Sequence, residues 1–270
     1  MRTLPDTLPK HSIFLALLAG ASALMVVHGL GRFAYTPLLP YLVSDGLLTL
    51  EQGARVATSN YIGYLLGALL ALVLHAPQRM RIALPLALIV NTLVTFAQVG
   101  ADSYQSLLWL RLANGISNGV VFVQAPALVL EWLAQHQRTR LSGLIYLGLG
   151  GGLLLSSATV SWPAQWLSGA ARWWPMALLS IPLALLSIVL LRRLTIQPHA
   201  DVHTQSRTSL FDRASIPLFL AYTGAGLGYI LPMTFLPSLA REQLPANDPL
   251  LSGAWVWTAT ASLVSIALWN

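Results

Sequence analysis

Gly29–Leu42 reads GLGRFAYTPLLPYL, and two incompatible folds compete for it. Gly29-Leu30-Gly31-Arg32-Phe33-Ala34 matches the G-x-G-x-x-A pattern in which backbone amides cradle a dinucleotide pyrophosphate. The same residues lie inside an apolar run from Ile13 to Val43, where an arginine is an expensive guest. The nucleotide fingerprint needs a strand ahead of its first glycine, and an acidic residue about 20 positions on within a soluble unit. No strand can be placed before Gly29. Glu51 stands at a suitable distance but follows the apolar run. The stretch therefore reads as part of a membrane helix, its glycines serving close helix approach.

Composition gives the same setting for the whole chain. Of 270 residues, 56% are hydrophobic and 9% charged, with a mean hydropathy of +0.66. A soluble domain carries about 25% charged residues, so this chain could not cover a water-facing surface. Apolar runs define eight spans, near 12–43, 54–75, 82–99, 106–131, 141–162, 173–191, 214–240 and 252–270. Each approaches the ~20 residues that a helix needs to cross the hydrocarbon. They are continuous rather than alternating, which excludes a barrel. The fold class is all-α and polytopic.

The net charge of +6 and pI near 10.1 do not mark a nucleic-acid binder, because the basic residues are sorted by loop. With alternating spans, Arg2, Lys10, Arg79, Arg81, Arg138, Arg140, Arg192, Arg193, Arg207 and Arg213 share one side. The other side holds Arg55, Arg172 and Arg241 among Asp45, Glu51, Asp102, Glu242 and Asp248. The positive-inside rule then predicts a cytoplasmic N-terminus. The first run could resemble a cleavable leader, but it continues unbroken beyond the small residues Ala21–Ala23. The chain has no cysteine, and neither a cofactor nor a metal site is expected. His199-Ala200-Asp201-Val202-His203 has metal-like spacing but sits in a polar, basic linker with no other ligand near it.

An internal repeat organises the chain. Gly29, Leu30, Gly31, Leu39 and Pro40 return 197 positions later as Gly226, Leu227, Gly228, Leu236 and Pro237. Six spans per unit in one orientation describe two parallel halves related by an axis along the membrane normal. The expected division is 1–191 as a six-helix half, 192–213 as a cytoplasmic linker, and 214–270 as the first two helices of a second half. The second unit thus reads as cut short.

Within this frame Arg32 is the leading functional candidate. An arginine at mid-span costs about 2.5–3.5 kcal/mol even on the gentlest scale, so it should face a cavity or a partner. At helical spacing His28, Tyr35 and Thr36 share its stripe. Ser59, Asn60, Tyr61 and Tyr64 cluster near the outer end of the second span and offer a matching polar face. Arg111, Asn114 and Asn118 line one face of the fourth; for Arg111, coupling, structure or snorkelling to the outer boundary stay open. Gly148, Gly150, Gly151 and Gly152 read as helix packing. Trp109, Trp162, Trp166, Trp173 and Trp174 read as interfacial anchors. No acidic residue falls in mid-span, so proton coupling would rest on His28. With no H-E-x-x-H and no Ser–His pair at one depth, an enzyme is not expected.

These blocks carry a resemblance. Gly29–Pro40, followed by Asn60-Tyr61-Ile62-Gly63-Tyr64-Leu65-Leu66-Gly67, is similar to the start of the YbfB/YjiJ family of the major facilitator superfamily. The resemblance implies a bacterial inner-membrane carrier of twelve spans that moves a small solute, with protons as a potential co-substrate, by alternating access. Arg111 with Gly115 resembles the superfamily's R-x-x-x-G element, which implies proton-coupled transport. His75–Arg81 keeps the basic end of the loop after the second span but lacks its usual acid. On this reading Arg32 recognises an anionic or carboxylate-bearing group, supported by His28, Tyr35, Asn60 and Tyr64. Uptake of an organic anion and efflux of amphipathic compounds both stay open. The rival class is a non-transporting membrane module, acting as a sensor or assembly partner.

Overall fold

The computed structural model describes residues 10–163, 165–196, 212–213, 215–245 and 248–268. Among these there is no strand; nine α-helices account for most of them. They are α1 (Lys10–Leu24), α2 (Tyr35–Ser44), α3 (Leu50–Val73), α4 (Pro77–Ala97), α5 (Tyr104–Gln135), α6 (Leu147–Ser161), α7 (Trp174–Leu191), α8 (Ile216–Gln243) and α9 (Pro249–Leu268). Seven helical spans are long and apolar enough to cross a membrane, the last being Ile216–Gln243. In hydrocarbon a backbone must satisfy its own hydrogen bonds, and helices do so within each segment. The expected eighth span falls on α9, whose apolar stretch Gly253–Leu268 is shorter than the others. Between the end of α7 at Leu191 and the start of α8 at Ile216, residues 197–211, with the His199–His203 pattern, lie outside the described residues.

Local signals fix where helices begin. The Thr49 hydroxyl accepts from the Gln52 amide at 3.1 Å, and the Thr49 amide donates to Gln52 Oε1 at 3.0 Å, closing a capping box on α3. Ser103 and Ser106 do the same for α5. Pro77 opens α4, where a missing amide proton costs nothing.

On α3 the packing is inverted relative to a soluble bundle: large apolar side chains point outward and small or polar ones inward. Leu65, Leu69, Leu72 and Val73 of α3 are exposed, whereas Ser59, Asn60, Gly63 and Gly67 are buried. The α3–α5 interface is the most extensive in the molecule. A Cβ on Gly63 would lie 2.2 Å from the Leu112 carbonyl oxygen, and one on Gly115 would lie 2.2 Å from that of Asn60. The two backbones therefore touch, the device by which helices associate when lipid supplies no hydrophobic drive. Gly148 and Gly152 of α6 do the same against Ala21 and Gly29, as expected of that glycine run.

Of the last two helices, α8 meets the first six spans at the end away from the linker, while α9 packs along α6. Tyr41 of α2 is flanked by the Arg172 and Arg241 guanidiniums, 4.7 and 4.1 Å from its ring centre. Thr234 is buried, while Ile216–Ala225, the linker-proximal part of α8, is largely exposed. Trp255 of α9 donates from Nε1 to Ser156 Oγ at 2.9 Å, within an apolar cluster of Phe33, Leu153 and Ala259.

Candidate functional site

The first span, expected as one helix, is three segments: α1, a nine-residue π-helix over Met25–Phe33, and α2. The π turn is explicit where the Ala34 amide donates to the Gly29 carbonyl five residues back, at 2.9 Å. Such widened turns are rare and frequent at functional sites. Nearly every residue of this one is buried, and it carries His28, Gly29, Gly31 and Arg32. Gly29 permits its docking, since a Cβ there would lie 2.3 Å from Gly152 Cα.

The π segment is held from α5. Arg111 Nη1 donates to the Gly31 carbonyl at 2.5 Å and Nη2 to the Arg32 carbonyl at 3.1 Å. Two turns along α5, Asn118 Nδ2 donates to the Val27 carbonyl at 2.7 Å. Asn114 lies between them, accepting from Asn60 Nδ2 at 3.2 Å and donating to Thr95 Oγ1 at 3.3 Å. Asn91 extends this seam from α4, donating to the Asn114 carbonyl and to Ser117 Oγ. Arg111 is 1% exposed and lies over the rings of Tyr35 and Trp173, at 4.8 and 5.7 Å. The snorkelling alternative for Arg111 is thereby corrected: both of its Nη atoms donate to backbone carbonyls inside the bundle. Trp173 is corrected too; at 0% exposed it is a packed partner of Tyr35, unlike Trp109, Trp162 and Trp166 at the surface.

Arg32 sits differently. It is 6% exposed, and its Cζ lies 5.2, 5.0 and 4.7 Å from the ring centres of Phe33, Tyr61 and Tyr64. Among the described residues it has no carboxylate partner, and its Nε has no hydrogen-bond acceptor. A desolvated cation–π contact contributes up to about 2 kcal/mol, so three rings offset an insertion cost of about 2.5–3.5 kcal/mol. The charge is thus housed without being neutralised. His28 packs its ring 5.9 Å from Tyr64 and 4.3 Å from Phe122, with Nδ1 unpaired.

The structure therefore brings together Arg32, His28 and Tyr64, with Asn60 beside them. Asn60 donates to the Arg111 carbonyl at 2.9 Å while its Oδ1 stays unpaired. Tyr35 lines the same small cavity as Arg32 and Asn60, its hydroxyl donating to the Gly53 carbonyl at 2.9 Å. The cavity, of about 10 Å³ with room for about one water, is lined also by Tyr61, Arg111 and Thr234. Tyr61 and Thr234 close it with a hydroxyl–hydroxyl bond across the two parts of the chain. The polar cluster of the second span contained Tyr61. Phe33, Phe122 and Thr234 were not singled out from sequence, because an aromatic face or a lone threonine in an apolar helix carries no local signal.

The family of the uncharacterised MFS-type transporter YbfB matches this chain over residues 24–270. No curated protein sequence matches it. Among solved structures, the crystal structure of a D-xylose–proton symporter is similar, with a TM-score of 0.62 at 16% identity. That likeness covers 96% of this chain and 67% of the symporter, and it is one of fold.

Proposed function

The chain belongs to the family of MFS-type transporters represented by YbfB, and from that membership we propose that it carries a small organic anion across the bacterial inner membrane. The observation that supports an anion is Arg32: a buried guanidinium caged by three aromatic rings, with an unused Nε–H and no acidic partner among the described residues. A planar, permanently charged fork suits a carboxylate. Asn60 Oδ1 and the Tyr64 edge supply acceptor and apolar contacts, and Tyr35 acts indirectly by seating Arg111.

Residues 1–191 and 214–270 belong to two halves joined by a linker over 192–213, and transport follows from their rocking about the site. The bond between Tyr61 and Thr234 and the cluster at Tyr41 close one side; the exposed linker-proximal half of α8 leaves the other open. By the sorting of basic loops the open side is cytoplasmic. The neighbouring symporter couples its sugar to protons. Here that task falls to His28, which shares the Tyr64 ring with Arg32.

The test is a thermal-shift panel of small carboxylates and their methyl esters on the purified chain. At least one carboxylate should stabilise the wild type while its ester does not. Arg32→Ala should abolish that shift yet keep its own melting temperature near wild type, since removing a buried charge relieves a desolvation cost. Arg32→Lys should retain a fraction of it. Arg111→Ala should instead lower the melting temperature, because two buried carbonyls lose their donor. An Arg32→Ala protein that binds the same carboxylate normally would overturn the assignment. Loss of the folded protein on that substitution would return Arg32 to a structural role.

A further inference from the structure

A larger cavity than the one at Arg32 lies elsewhere. A groove of about 690 Å³ opens at the loop end shared by α3, α4, α5 and α7, and it has no lining residue in common with the Arg32 cavity. Its size falls in the ~300–1,000 Å³ range of small-molecule sites. Its walls are mainly apolar, from residues such as Leu72, Leu84 and Leu128, and its rim carries Arg81 and Arg192. Both arginines are exposed, and neither has a carboxylate partner among the described residues. Glu131 also reaches the groove, its Oε1 held by Gln135 Nε2 at 3.0 Å. Two arginines against one glutamate leave the opening cationic.

A second observation comes from inside the groove. Gln124 is 2% exposed; its Nε2 donates to the Leu74 carbonyl at 3.3 Å, which terminates α3, while its Oε1 has no partner. A buried amide oxygen without a donor is costly, and most such groups are satisfied by protein, water or ligand. Gln124 lies level with the end of α3, where lipid headgroups meet hydrocarbon. The groove thus offers apolar walls, a cationic rim and one acceptor awaiting a hydroxyl or ammonium donor.

We propose that this groove binds a single anionic phospholipid with a hydroxylated headgroup, its phosphate at Arg81 and Arg192, a headgroup hydroxyl donating to Gln124 Oε1, and acyl chain along the apolar walls. Anionic lipid surfaces attract basic clusters beside membrane spans, and pockets of this kind between helices hold charged headgroups. The site is independent of transport and of the solute.

Native mass spectrometry of the purified, delipidated chain tests it with three probes: phosphatidylglycerol, phosphatidylmethanol, which keeps the charge but lacks the headgroup hydroxyls, and phosphatidylcholine. The wild type should retain one phosphatidylglycerol at least several-fold better than phosphatidylcholine, with phosphatidylmethanol between them. Arg81→Gln with Arg192→Gln should erase the preference for both anionic lipids. Gln124→Leu should erase only the difference between phosphatidylglycerol and phosphatidylmethanol. Met80 lines the groove, and the Met80→Cys variant should react with a water-soluble maleimide and be protected by phosphatidylglycerol. Equal retention of all three lipids by the wild type, or an undiminished preference in the double arginine variant, overturns the proposal. So does protection at position 80 without added lipid, which would mean that the chain's own 197–211 segment fills the groove.

Discussion

Arg32 and Arg111 are both buried arginines in apolar spans, and the groups that receive them differ. Nε is unpaired in both, but Arg111 donates from its two Nη atoms to the carbonyls of Gly31 and Arg32, whereas Arg32 lies against rings. Neighbouring glycines separate in the same way. Gly29 and Gly226 occupy equivalent positions in the repeat, yet Gly29 abuts Gly152 and Gly226 has no atom within 4 Å of a Cβ. Gly29→Ala must push apart two backbones that cannot yield, at a cost of about 1–3 kcal/mol or more. Gly226→Ala should be neutral or stabilising by about 0.5–1 kcal/mol, because alanine is the better helix former. Thermal unfolding of the two variants in detergent checks this; equal effects would contradict the packing described.

At the scale of elements, the joint between α2 and α7 is a charge contact. Asp45 follows α2 and receives Arg172 Nε at 2.5 Å, Arg172 Nη2 at 3.0 Å and the Gly169 amide at 2.7 Å. The Arg172 hydrogen bond holds the Asp45 carboxyl below its ordinary value, with the Gly169 amide adding to it and partial burial opposing. A carboxylate whose folded pKa is depressed stabilises fully above its unfolded value of about 3.9, and that contribution fades as pH falls through the folded pKa. Wild type should therefore exceed Asp45→Asn in melting temperature at pH 7, with the gap closing below pH of about 4. A gap that persisted unchanged into acid would refute the assignment. Arg172 and Asp45 were legible from sequence only as residues of outer loops, 127 positions apart. Their pairing depends on two helix ends arriving together, which no local pattern announces.

For the molecule as a whole, the sorting of arginines predicts which loops face which side. Single cysteines at Asp102, Ser168 and His203 in this cysteine-free chain should divide cleanly. An impermeant thiol reagent applied to intact cells should label positions 102 and 168 and spare 203. Labelling at 203 but not at 168 would invert the topology. It would also place the linker-proximal opening of the halves on the outside. Folding into spans was legible because hydropathy and charge act on each segment separately: a run of some twenty apolar residues enters lipid whatever its neighbours are.

What the sequence determined by itself was therefore everything that a helix settles alone with its solvent: class, number of spans, their order, the repeat, and the presence of a charge where charge is expensive. The tertiary structure decided how each charge is held. Gly-Leu-Gly occurs at 29–31 and again at 226–228, yet it is π-helical in the first span and α-helical in α8. The same three residues take different turns because Arg111, 80 positions away, bonds the Gly31 carbonyl of the first copy and Asn118 bonds the Val27 carbonyl just before it. Local propensity cannot contain that difference. It arises only when helices distant in sequence press their polar atoms into one buried seam, where every unpaired group is costly and the geometry that pairs most of them prevails.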